Sequence, residues 1–520
     1  MKRLLLLVLI AAAALFVSTA RAGDPPADAK TEEVRTKLFA VLLDEGRADE
    51  RAKAAGDLLS LNTPAAAKAA LDALDKLAAR ATGVDVRLAR TRADYEAYKG
   101  SQKNDKDWAI KQRLLEQMER DEAISRGDVQ VLGAFGAGIV ALADKEAVAV
   151  LDRAAGKVAE PRARLVLCAA LLRNPLTNAA EAAKRGMADA DAAVRLAVLQ
   201  AMADRKDASF LALGLKALAD PSWTFRQAAA RLLAALGDVK AVGPIVTAMT
   251  GEDGRLLEDY ADALARLTGE KLGPNPEAWK KWYDDHKAEL AAKGAGSSAP
   301  KLGKNPLAPP VDYYGIQTRS RKLLFLIDCS GSMNEVLGKP SVTGGGYSGP
   351  KIEIAKKMLK AAITQLDPST QFNVIVFSTD ARQFNEGLIP ATPINKAATN
   401  EKIDELAGRG GTYTYGALRL AFGLANPNVS PSAPPVDTIF LLSDGAPTEA
   451  TFEDGAEAKP MDPDKILTAV RQWNPFRAIK IHTIAIDPRI DSPSVGQRFI
   501  RFMRDLAGQN DGTYTAIGEK

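Results

Sequence analysis

Leu323-Leu-Phe-Leu-Ile327 runs directly into Asp328-Cys-Ser-Gly-Ser-Met333. Five consecutive apolar residues ending on a carboxylate read as a parallel strand buried on both faces, since a strand with one wet face would alternate. Further strands are expected at 372–377, 438–443 and 480–486. Helical spacing separates them at 352–366, 415–424, 464–473 and 497–507. Strands alternating with helices predict an α/β doubly wound, Rossmann-like domain over 316–520, whose ligands sit at the carboxyl ends of the strands.

Three polar segments fall at those ends: Asp328-Cys-Ser-Gly-Ser-Met333, Gly410-Gly-Thr412 and Asp444-Gly-Ala-Pro-Thr448. Asp328, Ser330, Ser332, Thr412 and Asp444 offer two carboxylates and three hydroxyls, with no His or thiolate cluster beside them. Hard oxygen donors suit a small hard cation, Mg²⁺ first, with Mn²⁺ or Ca²⁺ as alternatives. Gly331 permits a tight loop that turns both serines inward, and Gly410 and Gly411 let the Thr412 loop approach.

Asp-x-Ser-x-Ser after the first strand, then a Thr, then an Asp opening an Asp-Gly turn, resembles the metal-ion-dependent adhesion site (MIDAS) of von Willebrand factor A (vWA) domains, over about 320–520. The resemblance implies that Ser330, Ser332 and Thr412 are hydroxyl ligands and that Asp328 and Asp444 act directly or through water. It also implies an open coordination position that an Asp or Glu carboxylate of a protein partner fills. Around the motif, 334–350 is a Gly/Ser-rich insertion at the rim. Cys329 is either a small buried residue or a redox-sensitive thiol. Thr414 competes with Thr412 for the hydroxyl role, and Asp487 caps a strand turn rather than binding metal.

Outward from this domain, 30–290 is Ala/Leu-rich with apolar residues at helical spacing, including faces at 33–43, 65–79, 108–124 and an apolar, glycine-containing stretch at 131–143. Ala-Val-Arg-Leu-Ala at 193–197 matches Thr-Phe-Arg-Gln-Ala at 224–228, with Asp189 and Asp220 each six residues before the Arg, an offset of 31. This pattern resembles HEAT-type repeats. The resemblance implies an N-terminal α-solenoid in which Asp189, Arg195, Asp220 and Arg226 tie neighbouring helix pairs together. Trp279 and Trp282 close the open end of the stack or form a binding platform. His286 reads as a surface residue. Residues 291–315 form a linker rich in Gly, Ser and Pro, so two independently folded bodies are expected.

Residues 1–22 read as an export signal: Lys2 and Arg3, an apolar run from Leu4 to Phe16, then Ala20-Arg21-Ala22. No Cys adjoins the cut, which disfavours a lipid anchor, and no second span is expected. The chain is therefore read as exported, periplasmic or secreted. Lys and Arg total 69 against 65 Asp and Glu, interspersed, so no basic block points to nucleic acid. Cys168 and Cys329 lie in different domains and are expected free. The expected function is binding of a protein partner through the cation, with the helical repeats as a second surface and no catalytic residues. A metal-dependent hydrolase and a structural envelope protein whose metal only stabilises the fold are the alternatives.

Overall fold

The computed structural model describes residues 29–97, 106–292, 309–337, 348–425, 430–449, 459–487 and 493–518. The expected export segment and residues 293–308 of the expected linker lie outside the described residues.

The N-terminal half is helical throughout. Helices Ala29–Val41, Ala48–Ser60, Pro64–Ala97 and Lys106–Ala141 come first, and shorter ones follow from Lys145–Ala154 to Pro276–Ala292. Here the sequence reading needs one correction. The two apolar segments expected at 108–124 and 131–143 are a single helix, Lys106–Ala141. Its glycines do not break it but let another helix in: a Cβ at Gly138 would stand 2.6 Å from Leu59 Cδ1 and 2.9 Å from Leu59 Cβ.

The repeat extends further than its sequence match. Arg195 donates to the carbonyls of Asp189 (2.7 Å) and Ala190 (2.9 Å), and Arg226 donates to those of Asp220 (2.8 Å) and Pro221 (2.9 Å). Arg164 does the same to Val158 (3.0 Å) and Ala159 (2.7 Å), so three arginines at one spacing close the turn before their own helices. The Asp189 carboxylate accepts from Arg164 Nε at 2.8 Å, which links one helix pair to the next. Stacked pairs share one apolar core running from Leu38 to Leu290. Trp279 is fully buried at its end, donating Nε1–H to the Gly273 carbonyl at 2.8 Å, while Trp282 packs partly buried and stacks on His286. The pair covers the core rather than offering an open platform. Among the described residues no helix is long and apolar enough to cross a membrane.

The C-terminal half opens with a two-stranded antiparallel ribbon, β1 (Val311–Tyr313) and β2 (Ile316–Thr318). Then come β3 (Lys322–Asp328), the short pair β4 (Val336–Leu337) and β5 (Gly349–Pro350), β6 (Gln371–Phe377), β7 (Ala381–Gln383) and β8 (Ile389–Pro390). They are followed by β9 (Thr438–Ser443), β10 (Lys480–Ile486) and β11 (Tyr514–Ile517). The main sheet has the order β11-β10-β9-β3-β6-β7, parallel from β11 to β6, with β7 and β8 antiparallel on β6. Leu323, Phe325 and Ile327 point into one core with helix Lys351–Gln365. Leu324 and Leu326 point into the other with helices Thr414–Ala425, Pro463–Trp473 and Pro493–Gln509. Both faces of β3 are thus covered, which is why its sequence is uninterrupted by polar residues.

The two halves are joined by a polar seam at the amino ends of the strands, which the sequence does not announce. Arg255 donates to the Asp437 carbonyl at 2.9 Å and to the Ala478 carbonyl. Glu258 accepts from Thr318 Oγ1 (2.8 Å), the Arg319 amide (2.8 Å) and Lys480 Nζ (3.0 Å). A second contact lies against helix Thr414–Ala425, where Tyr415 donates its hydroxyl to Glu122 at 2.7 Å.

Candidate functional site

The parallel order reverses between β3 and β9, because β3 connects onward to β6 on one side and the chain returns to β9 on the other. A doubly wound sheet opens a crevice at such a point. Asp328 ends β3 and Asp444 follows β9, so the two carboxylates face each other across it.

Asp328 is fully buried. Its Oδ1 accepts from the Ser330 amide at 2.8 Å and its Oδ2 from Ser443 Oγ at 2.5 Å. Ser330 Oγ and Ser332 Oγ lie 3.1 Å apart, and Ser332 Oγ donates to Asp444 Oδ1 at 2.9 Å. Thr412 comes from a separate loop, fixed by its amide to Thr448 Oγ1 (2.9 Å) and by the Thr448 amide to its carbonyl (2.9 Å). Its hydroxyl and that of Ser332 flank Gly445: a Cβ there would stand 3.7 Å from Thr412 Oγ1 and 4.0 Å from Ser332 Oγ. Gly331 donates its amide to the Gly410 carbonyl at 3.0 Å, locking the two loops together. Gly410 has φ +73°, and a Cβ there would fall 2.5 Å from Thr379 Cγ2, so the position requires glycine.

Asp328, Ser330, Ser332 and Asp444 are thus linked in one hydrogen-bonded cluster, and Thr412 lies beside Gly445, as Ser332 does. Thr414 is not a sixth, since its Oγ1 turns back to the Thr412 carbonyl at 3.5 Å. Asp487, at φ +45°, donates its amide to Ile517 O at 2.7 Å at the end of β10. Cys329 is buried, and burial, then the neighbouring Asp328 charge, pushes its thiol up to about 12. A thiolate is disfavoured there, which leaves the small-buried-residue reading of Cys329.

Lys351 is the functional group that sequence reasoning missed. It opens helix Lys351–Gln365 and is buried, with Nζ 3.0 Å from Asp444 Oδ2 and 2.9 Å from Glu335 Oε2. Burial works against its charge, and Asp444 and Glu335 outweigh burial, so its pKa lies above the ordinary lysine value. Its position was the available signal, because the first residue of a helix is where the helix dipole disfavours a cation. Ser443 was also missed, a polar residue closing the otherwise apolar β9.

Burial first, and Asp444 second, push the Asp328 carboxyl up to about 7. Two acids in one dry crevice repel each other, and a cation relieves that repulsion. The donor chemistry fits a hard divalent ion bound by oxygen alone. Among the described residues there is no group of three or more His, Cys, Asp or Glu placed to hold a metal, so any metal here depends on the hydroxyls.

Residues 343–515 match the family model for the von Willebrand factor type A domain. The C-terminal half carries a vWA domain. The match begins beyond the Asp328–Ser332 loop and takes in Thr412 and Asp444, so that loop stands on its geometry. Inter-alpha-trypsin inhibitor heavy chain H4 of Homo sapiens is 33% identical over 137 residues, which is 26% of this chain and 13% of that protein. The voltage-dependent calcium channel unc-36 of Caenorhabditis elegans is 30% identical over 117 residues, 22% of this chain and 8% of that protein. This chain thus spans about an eighth or less of the length of these relatives. A solved structure, the von Willebrand factor type A protein from Catenulispora acidiphila, is 24% identical, covers 39% of each chain and has a TM-score of 0.28.

Proposed function

We propose that this chain binds a protein partner through a divalent cation held at the rim of its vWA domain by Ser330, Ser332, Thr412, Asp328 and Asp444. The observation that carries the reading is the cluster of two serine hydroxyls and two buried carboxylates at the switch point of the sheet, with Thr412 on the adjoining loop. The family match supports a role in protein interaction. Ser330 and Ser332 supply adjacent hydroxyls from one loop. Thr412 supplies a third from a loop that Gly410 and Thr448 hold in place. Asp328 orients the first loop through the Ser330 amide, and Asp444 orients Ser332 through its hydroxyl. A bound Mg²⁺ or Mn²⁺ would supply an anion-accepting position, which an Asp or Glu side chain of a partner suits. The export signal read in the sequence of 1–22 supports a place for this binding outside the cytoplasm.

Binding is favoured over hydrolysis by what surrounds the oxygens. His482 lies within β10, its Nδ1 accepting from the Thr513 amide at 3.1 Å, and burial, then Lys480, lower its pKa to about 3. It is a neutral packing group stacked on Phe440, not a general base at the rim.

The test is titration calorimetry of the full chain with Mg²⁺ and Mn²⁺, paired with capture from the exported fraction with and without EDTA. Wild type should bind one ion, and the Ser330→Ala, Ser332→Ala double variant should bind none while keeping its helical circular dichroism. Undiminished affinity in the double variant would remove the metal site. Capture that is indifferent to EDTA would leave a structural role in its place.

A further inference from the structure

Lys351 places a fixed positive charge inside the same crevice as the metal-binding oxygens. Asp444 is bound on both sides: Oδ1 accepts from Ser332 Oγ at 2.9 Å, and Oδ2 accepts from Lys351 Nζ at 3.0 Å. The ammonium is held there, because Lys351 is 3% exposed and its amide is anchored to the Glu335 carbonyl at 3.0 Å. Glu335, the second partner, hangs outward with a side chain that is 69% exposed, so water screens it while Asp444 stays dry.

We propose that Lys351 is the internal counter-ion of the site: it weakens the hold on the bare divalent cation and makes the loaded site depend on an incoming anion. With both carboxylates ionised, as they must be to hold a divalent cation, two carboxylates and one ammonium give the crevice one negative charge. A divalent ion turns that into one positive charge. Without Lys351 the loaded crevice would be neutral and would have no electrostatic need for a partner's carboxylate. Lys351 acts through Asp444 and the summed charge rather than by touching the metal, so it is a positioning and specificity residue. The inference rests on the divalent-cation reading above and adds to it what sets the affinity and why an acidic ligand is preferred.

The experiment measures Mn²⁺ binding to the full chain by the electron paramagnetic resonance signal of free Mn²⁺, for wild type, Lys351→Gln, Lys351→Arg and the double serine variant. Thermal unfolding is followed in parallel with EDTA and with Mn²⁺. A unit charge a few ångströms from a dication in a partly buried crevice is worth about tenfold or more in affinity. Lys351→Gln should therefore bind Mn²⁺ at least about tenfold tighter than wild type. It should melt lower than wild type in EDTA, where Asp444 has lost its counter-ion, and gain more from Mn²⁺. Lys351→Arg, which keeps the charge, should stay near wild type in affinity. Equal or weaker Mn²⁺ binding by a folded Lys351→Gln, or a Lys351→Arg as tight as the glutamine variant, would overturn the counter-ion role. A Lys351→Gln chain that fails to fold even with Mn²⁺ would overturn it as well, because the cation would then not substitute for the ammonium. If wild type itself binds no Mn²⁺, the metal reading fails first, and that result is separate from the others.

Discussion

At the amino ends of the strands, Glu258 has Lys480, the Arg319 amide and Thr318 around it, Asp259 has Arg255 and Gln227, and Asp437 has the Ser320 and Thr438 hydroxyls. At the carboxyl ends, Asp328 and Asp444 share hydroxyls, amides and a single lysine. Both places bury acids against the same sheet. The base matches each acid with fixed donors, several of them reaching across from the other half of the molecule. The rim leaves a surplus of negative charge. Matched charge that is buried holds parts together, and unmatched charge that is buried waits for something to bind.

The largest effect should come from breaking the base. Glu258→Ala strands Lys480 without its carboxylate and the Arg319 amide without its acceptor, and removing one member of a buried pair costs about 3–5 kcal/mol. Urea unfolding of the full chain should show that loss as a lower midpoint. A loss below about 1 kcal/mol would mean the seam carries no more than a surface pair does, and the contrast between base and rim would collapse.

The rim should behave in the opposite sense. The folded-state pKa of Asp328, about 7, lies above its unfolded value near 3.8. Its contribution is fully present below the unfolded value and is lost as pH rises through 7. In EDTA, Asp328→Asn should therefore be more stable than wild type at pH 8, by on the order of 1–3 kcal/mol, with the gap closing toward pH 4. Unfolding midpoints across that range would check it. A variant destabilised at pH 8 would show that the rim, like the base, is built for stability.

The smallest effect should be Thr412→Ala. Its loop is held by backbone and by Thr448, so the fold should be unchanged and Mn²⁺ affinity should fall by only a few fold, about 1 kcal/mol. EDTA-sensitive capture of a partner should fall further than the ion affinity does, measured on the same preparation. An equal loss in both would make Thr412 a plain ligand, not one that answers to the bound partner.

Legibility followed burial. The strands expected at 438–443 and 480–486 have those same bounds in the structure, and that at 372–377 differs by one residue, because each is covered on both faces and reads as an apolar run. β7, β8 and β11 went unread because edge strands of two to four residues leave too little pattern. Asp328, Ser330 and Ser332 were legible because they share one local motif, and Thr412 and Asp444 because each adjoins its own glycine turn in a fixed order along the chain. Lys351 was not, since a lone lysine after Pro350 reads as solvated and its place at a helix start is too weak a signal to show that it is buried. The seam hid for the same reason: Asp253, Arg255, Glu258 and Asp259 form a mixed-charge run, the ordinary composition of a wet helix face.

The pairing of β4 with β5 brings Leu337 opposite Gly349 and Val336 opposite Pro350, two residues from the metal loop on one side and adjoining Lys351 on the other. The chain therefore leaves the rim and returns to it through one fixed doorway. The pairing pins Leu337 and Gly349 to each other beside the oxygen cluster and the lysine behind it. For an engineer, it marks the place to graft a foreign recognition loop.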